Sequence, residues 1–168
     1  IAERHVDRLL NPHVQEAHLP PYLTPESGLE SGLMIAQYTA ASCLAECRSV
    51  STPATDTTPV SGGQEDHVSM SATSAHAARR TLDWARTVVG VELLCAAEAA
   101  EFVDERLAHG DGTAAVYDAV REVVPPLDGD RSLAGDIDAC DALVANGALD
   151  AAVAEALGSA SLAWDQDR

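Results

Sequence analysis

The stretch from Ala72 to Leu107 decides the fold, and it reads ATSAHAARRTLDWARTVVGVELLCAAEAAEFVDERL. Alternating steps of three and four residues along it follow a mostly apolar row, which we call the seam and which is close to a heptad pattern. Two arginines interrupt the seam, whose members are Ala75, Arg79, Leu82, Arg86, Val89, Leu93, Ala96, Ala100, Val103 and Leu107. The pattern predicts one helix of roughly forty residues, ending at Gly110. So long a helix cannot bury its stripe within a domain of this size, which indicates a bundle or an oligomer.

Shorter helical patterns precede this stretch. An apolar periodicity over residues 1–14 is interrupted at Asn11-Pro12, and the prolines of residues 19–25 forbid a helix there. Ser27 and Glu30 have the spacing of a capping box, which predicts a helix from there to about Val50. Residues 51–63 are polar and rich in Pro and Gly, which is typical of a linker or a binding loop.

Three short helices are predicted after the long one, over residues 113–124, 134–145 and 148–157. Their acidic residues alternate with apolar ones and predict solvated faces; they are Asp136, Asp138, Asp141, Asp150 and Glu155. We find no convincing strand and no internal repeat. The sequence therefore predicts an all-α fold, a long-helix bundle with shorter C-terminal helices and no significant sheet. We expect one region over 1–168, divided into 1–64, 65–110 and 111–168.

The charge of the chain excludes several partners. The sequence has 27 acidic residues and 10 arginines with no lysine, for a formal net charge of -17. Binding to a phosphate backbone needs cations, so neither nucleic acid nor an anionic membrane is expected as a partner. No apolar run approaches the roughly 18 residues that span a bilayer, and we expect a soluble, cytoplasmic protein. The acidic, lysine-free composition favours a halophilic or GC-rich source.

The four cysteines predict neither a disulfide framework nor a metal site. Cys43 and Cys47 lie one helical turn apart in an apolar stretch and are interpreted as small buried hydrophobes. No further ligands stand at finger-like spacing, so no metal is expected. The chain also lacks an initiator methionine and begins in a helical pattern, from which we expect a piece of a longer polypeptide.

The run Gln64-Glu65-Asp66-His67 combines an amide, two carboxylates and an imidazole where the polar loop enters the long helix. Unpaired amides and the positive dipole end of a helix favour carboxylates there and can orient a substrate. The same residues suit a plainer interpretation, in which Asp66 caps the helix and Glu65 favours its first turn. The residues alone leave both interpretations open.

Several motifs in one order give a resemblance to a known family. They are Leu19-Pro20-Pro21-Tyr22-Leu23, the run from Gly28 to Gln37, Thr39-Ala40-Ala41, Glu46, Pro53-Ala54, the run from Gln64 to Met70, and Ala77-Ala78-Arg79-Arg80. Over about residues 16–100 the chain resembles the C-terminal part of the aromatic amino-acid ammonia-lyases, and within them the histidine branch. It departs at Glu30, Leu33 and Gly63, where the family usually has Asn, Phe and a larger residue.

The resemblance implies a homotetramer with a central bundle of long helices and active sites built from more than one subunit. It implies deamination of L-histidine to urocanate and ammonia by a methylidene-imidazolone group, which forms from an Ala-Ser-Gly tripeptide. That tripeptide is absent from these 168 residues, so we expect the group upstream, no catalytic residue in this chain, and no activity of the chain alone.

The same resemblance assigns the substrate pocket. Glu65 is expected to hold the imidazole ring and Gln64 to support it, while Asp66 and His67 are expected to be structural. The alternatives are a phenylalanine or tyrosine ammonia-lyase or aminomutase of this family, or a non-catalytic helical oligomerisation module.

Overall fold

The computed structural model describes residues 1–15, 18–51, 58–65, 67–103 and 109–158. Six α-helices occur in these ranges: α1 (Ala2–Leu10), α2 (Met34–Ser49), α3 (Ser71–Ala100), α4 (Asp111–Val123), α5 (Ala134–Asn146) and α6 (Ala148–Leu157). The same ranges contain no β-strand, and their only bridges are the isolated pairs Ser27–Glu30 and Val60–Glu65. The prediction of an all-α fold is confirmed. No helix in the described part of the chain is both long and apolar enough to cross a bilayer.

Helix α3 is the centre of the fold. It packs against α1, α2 and α5 along its length, while α4 and α6 pair with each other beside it. One stripe of α3 supplies much of the core, and its apolar members are Ala77, Val88, Val91, Leu94, Cys95, Ala97 and Ala99. Leu10 and Val6 of α1, Ala36 and Ala40 of α2, and Cys140 of α5 are fully buried in the same core.

The seam of α3 lies on a different face from this buried stripe. Leu82 is 69% exposed and Val89 is 36% exposed, and Ala75, Arg79 and Ala96 are exposed as well. The fully buried residues of α3 therefore lie outside the seam. The seam itself is covered only in places, since Arg86 contacts α5 and Leu93 packs against the core.

Helix α3 is shorter than the sequence predicts. It has 30 residues and ends at Ala100, so the prediction of a continuous helix to Leu107 is wrong. After Ala100 the amides of Glu101, Phe102 and Val103 donate to carbonyls three residues back rather than four, which tightens the chain into a turn. Residues 104–108 lie outside the described residues.

The capping-box prediction at Ser27 and Glu30 is also wrong, because α2 begins at Met34. The Glu30 carboxylate instead accepts a hydrogen bond from the Thr24 hydroxyl at 2.6 Å. Gly32 has φ +54, and a β-carbon there would lie 2.5 Å from the Tyr22 carbonyl oxygen. These two segments therefore approach closely, and the Leu33 amide donates to the Tyr22 carbonyl at 3.0 Å. This close approach bends the chain away from a helix.

Two acidic residues predicted on solvated faces are bound to other side chains. Asp141 of α5 accepts from Arg86 Nε at 2.9 Å and from the Thr87 hydroxyl at 3.3 Å. Asp136 accepts from Arg131 Nε at 3.0 Å. Arg86 interrupts the apolar seam because its guanidinium anchors α5 to α3. The ion pair with Asp141 raises the pKa of Arg86, so the arginine stays charged.

The cysteines divide into two pairs, and all four are free. Cys95 and Cys140 are buried, and burial raises the pKa of both thiols, that of Cys140 to about 11. Cys43 and Cys47 are half-buried, and Cys43 packs against the core, so their interpretation as small buried hydrophobes holds only in part. The Cys47 thiol faces the Thr81 carbonyl of α3 at 3.8 Å, where two helices meet.

A buried charge cluster closes the C-terminal end of α3. Glu98, only 4% exposed, accepts from Arg121 Nη2 at 3.0 Å and from the Leu127 amide at 3.2 Å. Arg121 also lies 2.8 Å from Glu101, which accepts from the Tyr117 hydroxyl at 2.6 Å. Burial raises the pKa of Glu98 in spite of its arginine partner. This cluster joins α3, α4 and the segment after α4.

Gly90 should be intolerant of any side chain. A β-carbon at this position would lie 3.0 Å from the Asp141 amide nitrogen and 3.3 Å from its Cα. We expect Gly90→Ala to lower the free energy of unfolding by about 1–3 kcal/mol through overpacking. Gly135→Ala is the control, because nothing lies within 4 Å of its added methyl group. Chemical denaturation measures both variants, and equal stabilities would contradict the close α3–α5 contact.

The raised pKa of Glu98 predicts a sign for its pH dependence. The folded chain holds this proton more tightly than the unfolded chain, so the contribution to stability is complete at low pH and is lost as pH rises through the folded pKa. We expect the excess stability of the natural chain over Glu98→Gln to shrink as the pH rises above about 4. Denaturation at a series of pH values measures the difference. A difference that grows with pH would show that Arg121 outweighs burial.

Candidate functional site

A closed backbone turn carries Gln64 and Glu65. The Val60 amide donates to the Glu65 carbonyl at 2.9 Å, and the Glu65 amide donates back to the Val60 carbonyl at 3.4 Å. Inside this pair, the Gly63 amide donates to Val60 at 3.1 Å and the Gln64 amide to Ser61 at 3.3 Å. We call residues 60–65 the hairpin. Four backbone hydrogen bonds close it, and no side chain is needed for the closure.

The side chains of Gln64 and Glu65 are exposed and uncommitted. Among the described residues, neither has a hydrogen-bonding or ion-pairing partner. An amide and a carboxylate therefore stand next to each other with their full hydrogen-bonding capacity available. Gln64 and Glu65, the two residues expected to bind the substrate, are neighbours in sequence and are both exposed on the hairpin, and their role stays a prediction.

The capping role assigned to this motif finds no support at the start of α3. The helix begins at Ser71 with Met70 at its N-cap, the Met70 side chain makes no cap, and the Ser71 amide donates to Ser69 Oγ at 3.4 Å. His67 is exposed and lies three residues before the N-cap, and its structural role stays a prediction. Asp66 lies outside the described residues.

A cavity of about 330 Å³ lies between the end of α2 and the first half of α3. Glu46 of α2 and Arg80 and Trp84 of α3 line it, together with Ser49, Val50, Ser51, Thr73 and Ala77. Glu46 and Arg80 both belong to the ordered motifs of the sequence, but residue spacing alone assigns neither of them to a cavity. The two helices that bear them flank the segment with the hairpin.

A larger cavity of about 550 Å³ opens between α2, α5 and the segment before α5. Two of its three charged groups are already occupied. The Asp130 carboxylate accepts from the amides of Ser31 and Gly32 at 3.0 Å, and the Ser31 amide is the main reason why the pKa of Asp130 is lowered. Arg131 binds Asp136 and the carbonyls of Pro125 and Pro126. These contacts fix the turn before α2, and the third charged group, Asp138, is exposed at the rim of the cavity.

The sequence of this chain is similar to those of known proteins. The family model for aromatic amino acid lyase matches residues 1–122. A probable histidine ammonia-lyase of Halobacterium salinarum is 58% identical over 94% of this chain, and a histidine ammonia-lyase of Symbiobacterium thermophilum is 52% identical over 94%. The chain spans about 30% of the length of these relatives.

Two solved structures have a fold similar to that of this chain. A tyrosine aminomutase of Streptomyces globisporus superposes with a TM-score of 0.88 and 36% identity, over 92% of this chain and 30% of that one. A histidine ammonia-lyase of Trypanosoma cruzi has a TM-score of 0.85 and 34% identity, over 94% of this chain and 31% of that one. The chain belongs to the aromatic amino acid lyase family.

Proposed function

We propose that the longer polypeptide containing this chain deaminates L-histidine to urocanate and ammonia, and that this chain contributes the substrate-binding residues Gln64 and Glu65. The uncommitted carboxylate of Glu65, held on the closed hairpin, carries the proposal. Its support from relatives is the 58% and 52% identity to proteins named as histidine ammonia-lyases.

The chemistry of a carboxylate explains the choice of histidine. An imidazole ring offers an N–H group that a carboxylate can accept, and a hydrogen bond to a charged group contributes about 1.5–3 kcal/mol. A phenyl ring offers no donor, so binding phenylalanine would desolvate Glu65 without a replacement partner. The Gln64 amide can donate and accept, and it would complete the hydrogen bonds around the ring.

The electrophile of the reaction must be supplied by another part of the polypeptide. A methylidene-imidazolone needs an Ala-Ser-Gly segment free to cyclise, and the nearest match in the described residues, Ala41-Ser42-Cys43, lies inside α2 without a glycine. The residues present do not fit this group. We propose that it forms upstream, and we expect the 168-residue chain alone to be inactive.

Tyrosine is the second candidate substrate, because the similar Streptomyces globisporus structure is a tyrosine aminomutase. The phenol hydroxyl of tyrosine is also a donor that Glu65 could accept. An assay of the longer polypeptide with histidine, tyrosine and phenylalanine separates these candidates. If the polypeptide is inactive with all three amino acids, a non-catalytic helical oligomerisation module is the better explanation.

We expect Glu65→Gln in the longer polypeptide to lower kcat/KM for histidine by roughly 10- to 100-fold, because a charged acceptor becomes a neutral one. Urocanate absorbance measures the rate. Glu122→Gln is the matched control, since Glu122 is an exposed glutamate of α4. Equal rates for the two variants would show that Glu65 does not bind the substrate ring.

We further propose that the seam of α3 packs against other copies of the polypeptide in a homotetramer. Part of the seam is exposed, and Leu82 at 69% and Val89 at 36% are its exposed large apolar residues. Exposed apolar residues of this kind are stabilised by covering them. The other partner we propose is the small amino-acid substrate.

A charged residue in the seam should weaken this assembly. We expect Leu82→Glu to shift the sedimentation coefficient of the longer polypeptide toward that of a smaller species, at both moderate and high salt. Val123→Glu places the same change on an exposed apolar residue of α4 and serves as the comparison. An unchanged oligomer for Leu82→Glu would contradict packing through the seam.

A further inference from the structure

The backbone of the hairpin is unusual at three consecutive residues. Ser61, Gly62 and Gly63 have φ values of +55, +65 and +88, all in the left-handed region. A β-carbon at Gly62 or Gly63 would meet nothing within 4 Å. Glycine at these positions therefore provides backbone freedom rather than room for a neighbour. Ser61 adopts the same region without that freedom, and such strain persists where the surrounding contacts hold it.

This backbone determines how Gln64 and Glu65 are presented. Gln64 returns to the right-handed region, with φ -77 and ψ -27, immediately after the three left-handed residues. Glu65 is fixed by its two-way pairing with Val60. Since neither side chain has a partner of its own among the described residues, the direction in which both leave the chain depends on the backbone of the hairpin.

We propose that the left-handed turn Ser61–Gly63 is a positioning element that aims Glu65 and Gln64 at the substrate ring, with Gly62 as its key residue. A preformed backbone saves the cost of ordering this segment when the substrate binds. The turn acts through Glu65 and does not itself touch the substrate. This inference rests on the proposed function, because it needs Glu65 to be a ring-binding residue.

The test compares two substitutions at Gly62 in the longer polypeptide. Gly62 has φ 65 and ψ 25, a conformation that Asn tolerates much better than Ala. We expect Gly62→Ala to lower kcat/KM for histidine about tenfold, mainly by raising KM, with an unchanged sedimentation coefficient. Gly62→Asn should recover most of this loss although Asn is larger. If side-chain size were the cause, Asn would be worse than Ala.

Gly147→Ala is the matched control. Gly147 is also left-handed, with φ 75 and ψ 13, and also has open space around it, but it lies between α5 and α6. The same strain there should leave KM for histidine unchanged. An equal rise of KM in Gly62→Ala and Gly147→Ala would overturn the proposal.

A double-mutant cycle with Glu65→Gln separates positioning from general destabilisation. If the turn acts through Glu65, Gly62→Ala should lower kcat/KM for histidine by less than about twofold in the Glu65→Gln background. A tenfold loss of kcat/KM that persists in that background overturns the inference and leaves the proposed function standing. If the unmodified polypeptide does not deaminate histidine, both the inference and the proposed function are contradicted.

Discussion

The burial of one stripe of α3 is the constraint on which the rest of the structure depends. One stripe of this helix, which contains Val91, Leu94 and Cys95, fills the core between α1, α2 and α5. Gly90 lies in the same stretch and lets the α5 backbone approach to a distance that is tight for any side chain. The chain covers this stripe itself, whereas Leu82 and Val89 of the seam remain exposed.

Buried charge fixes the ends of this arrangement. The Glu98–Arg121 pair ties the end of α3 to α4, and the Leu127 amide also donates to the carboxylate. These contacts offset only part of the cost of taking the carboxylate out of water, since burial still raises the pKa of Glu98. In a chain with a net charge of -17, pairing an acidic residue with one of only ten arginines also limits repulsion at a helix end.

The sequence was most informative where a pattern is repeated. Long apolar periodicity predicted the helices, and α5 and α6 lie within one residue of their predicted bounds. The wrong predictions fall where non-local contacts decide. Ser27 and Glu30 have a capping-box spacing, but the approach of Gly32 to Tyr22 turns the chain there, and this contact leaves no local signal. The early end of α3 depends likewise on residues distant in sequence.

The candidate site could be predicted only in part. The motif identified Gln64 and Glu65, and the structure places both on one exposed hairpin. The three left-handed residues before them were not predicted, because Ser61 has no preference for that region and two glycines are equally common in linkers. The cavity beside Glu46 and Arg80 depends on how α2 packs against α3, which residue spacing does not specify.

The most direct test of this account is a crystal structure of the longer polypeptide with L-histidine bound. The account predicts the Glu65 carboxylate within about 2.7–3.2 Å of a ring nitrogen of the substrate, with the hairpin in the conformation described above. A bound histidine whose ring nitrogens are held by other residues, with Glu65 facing solvent, would contradict it.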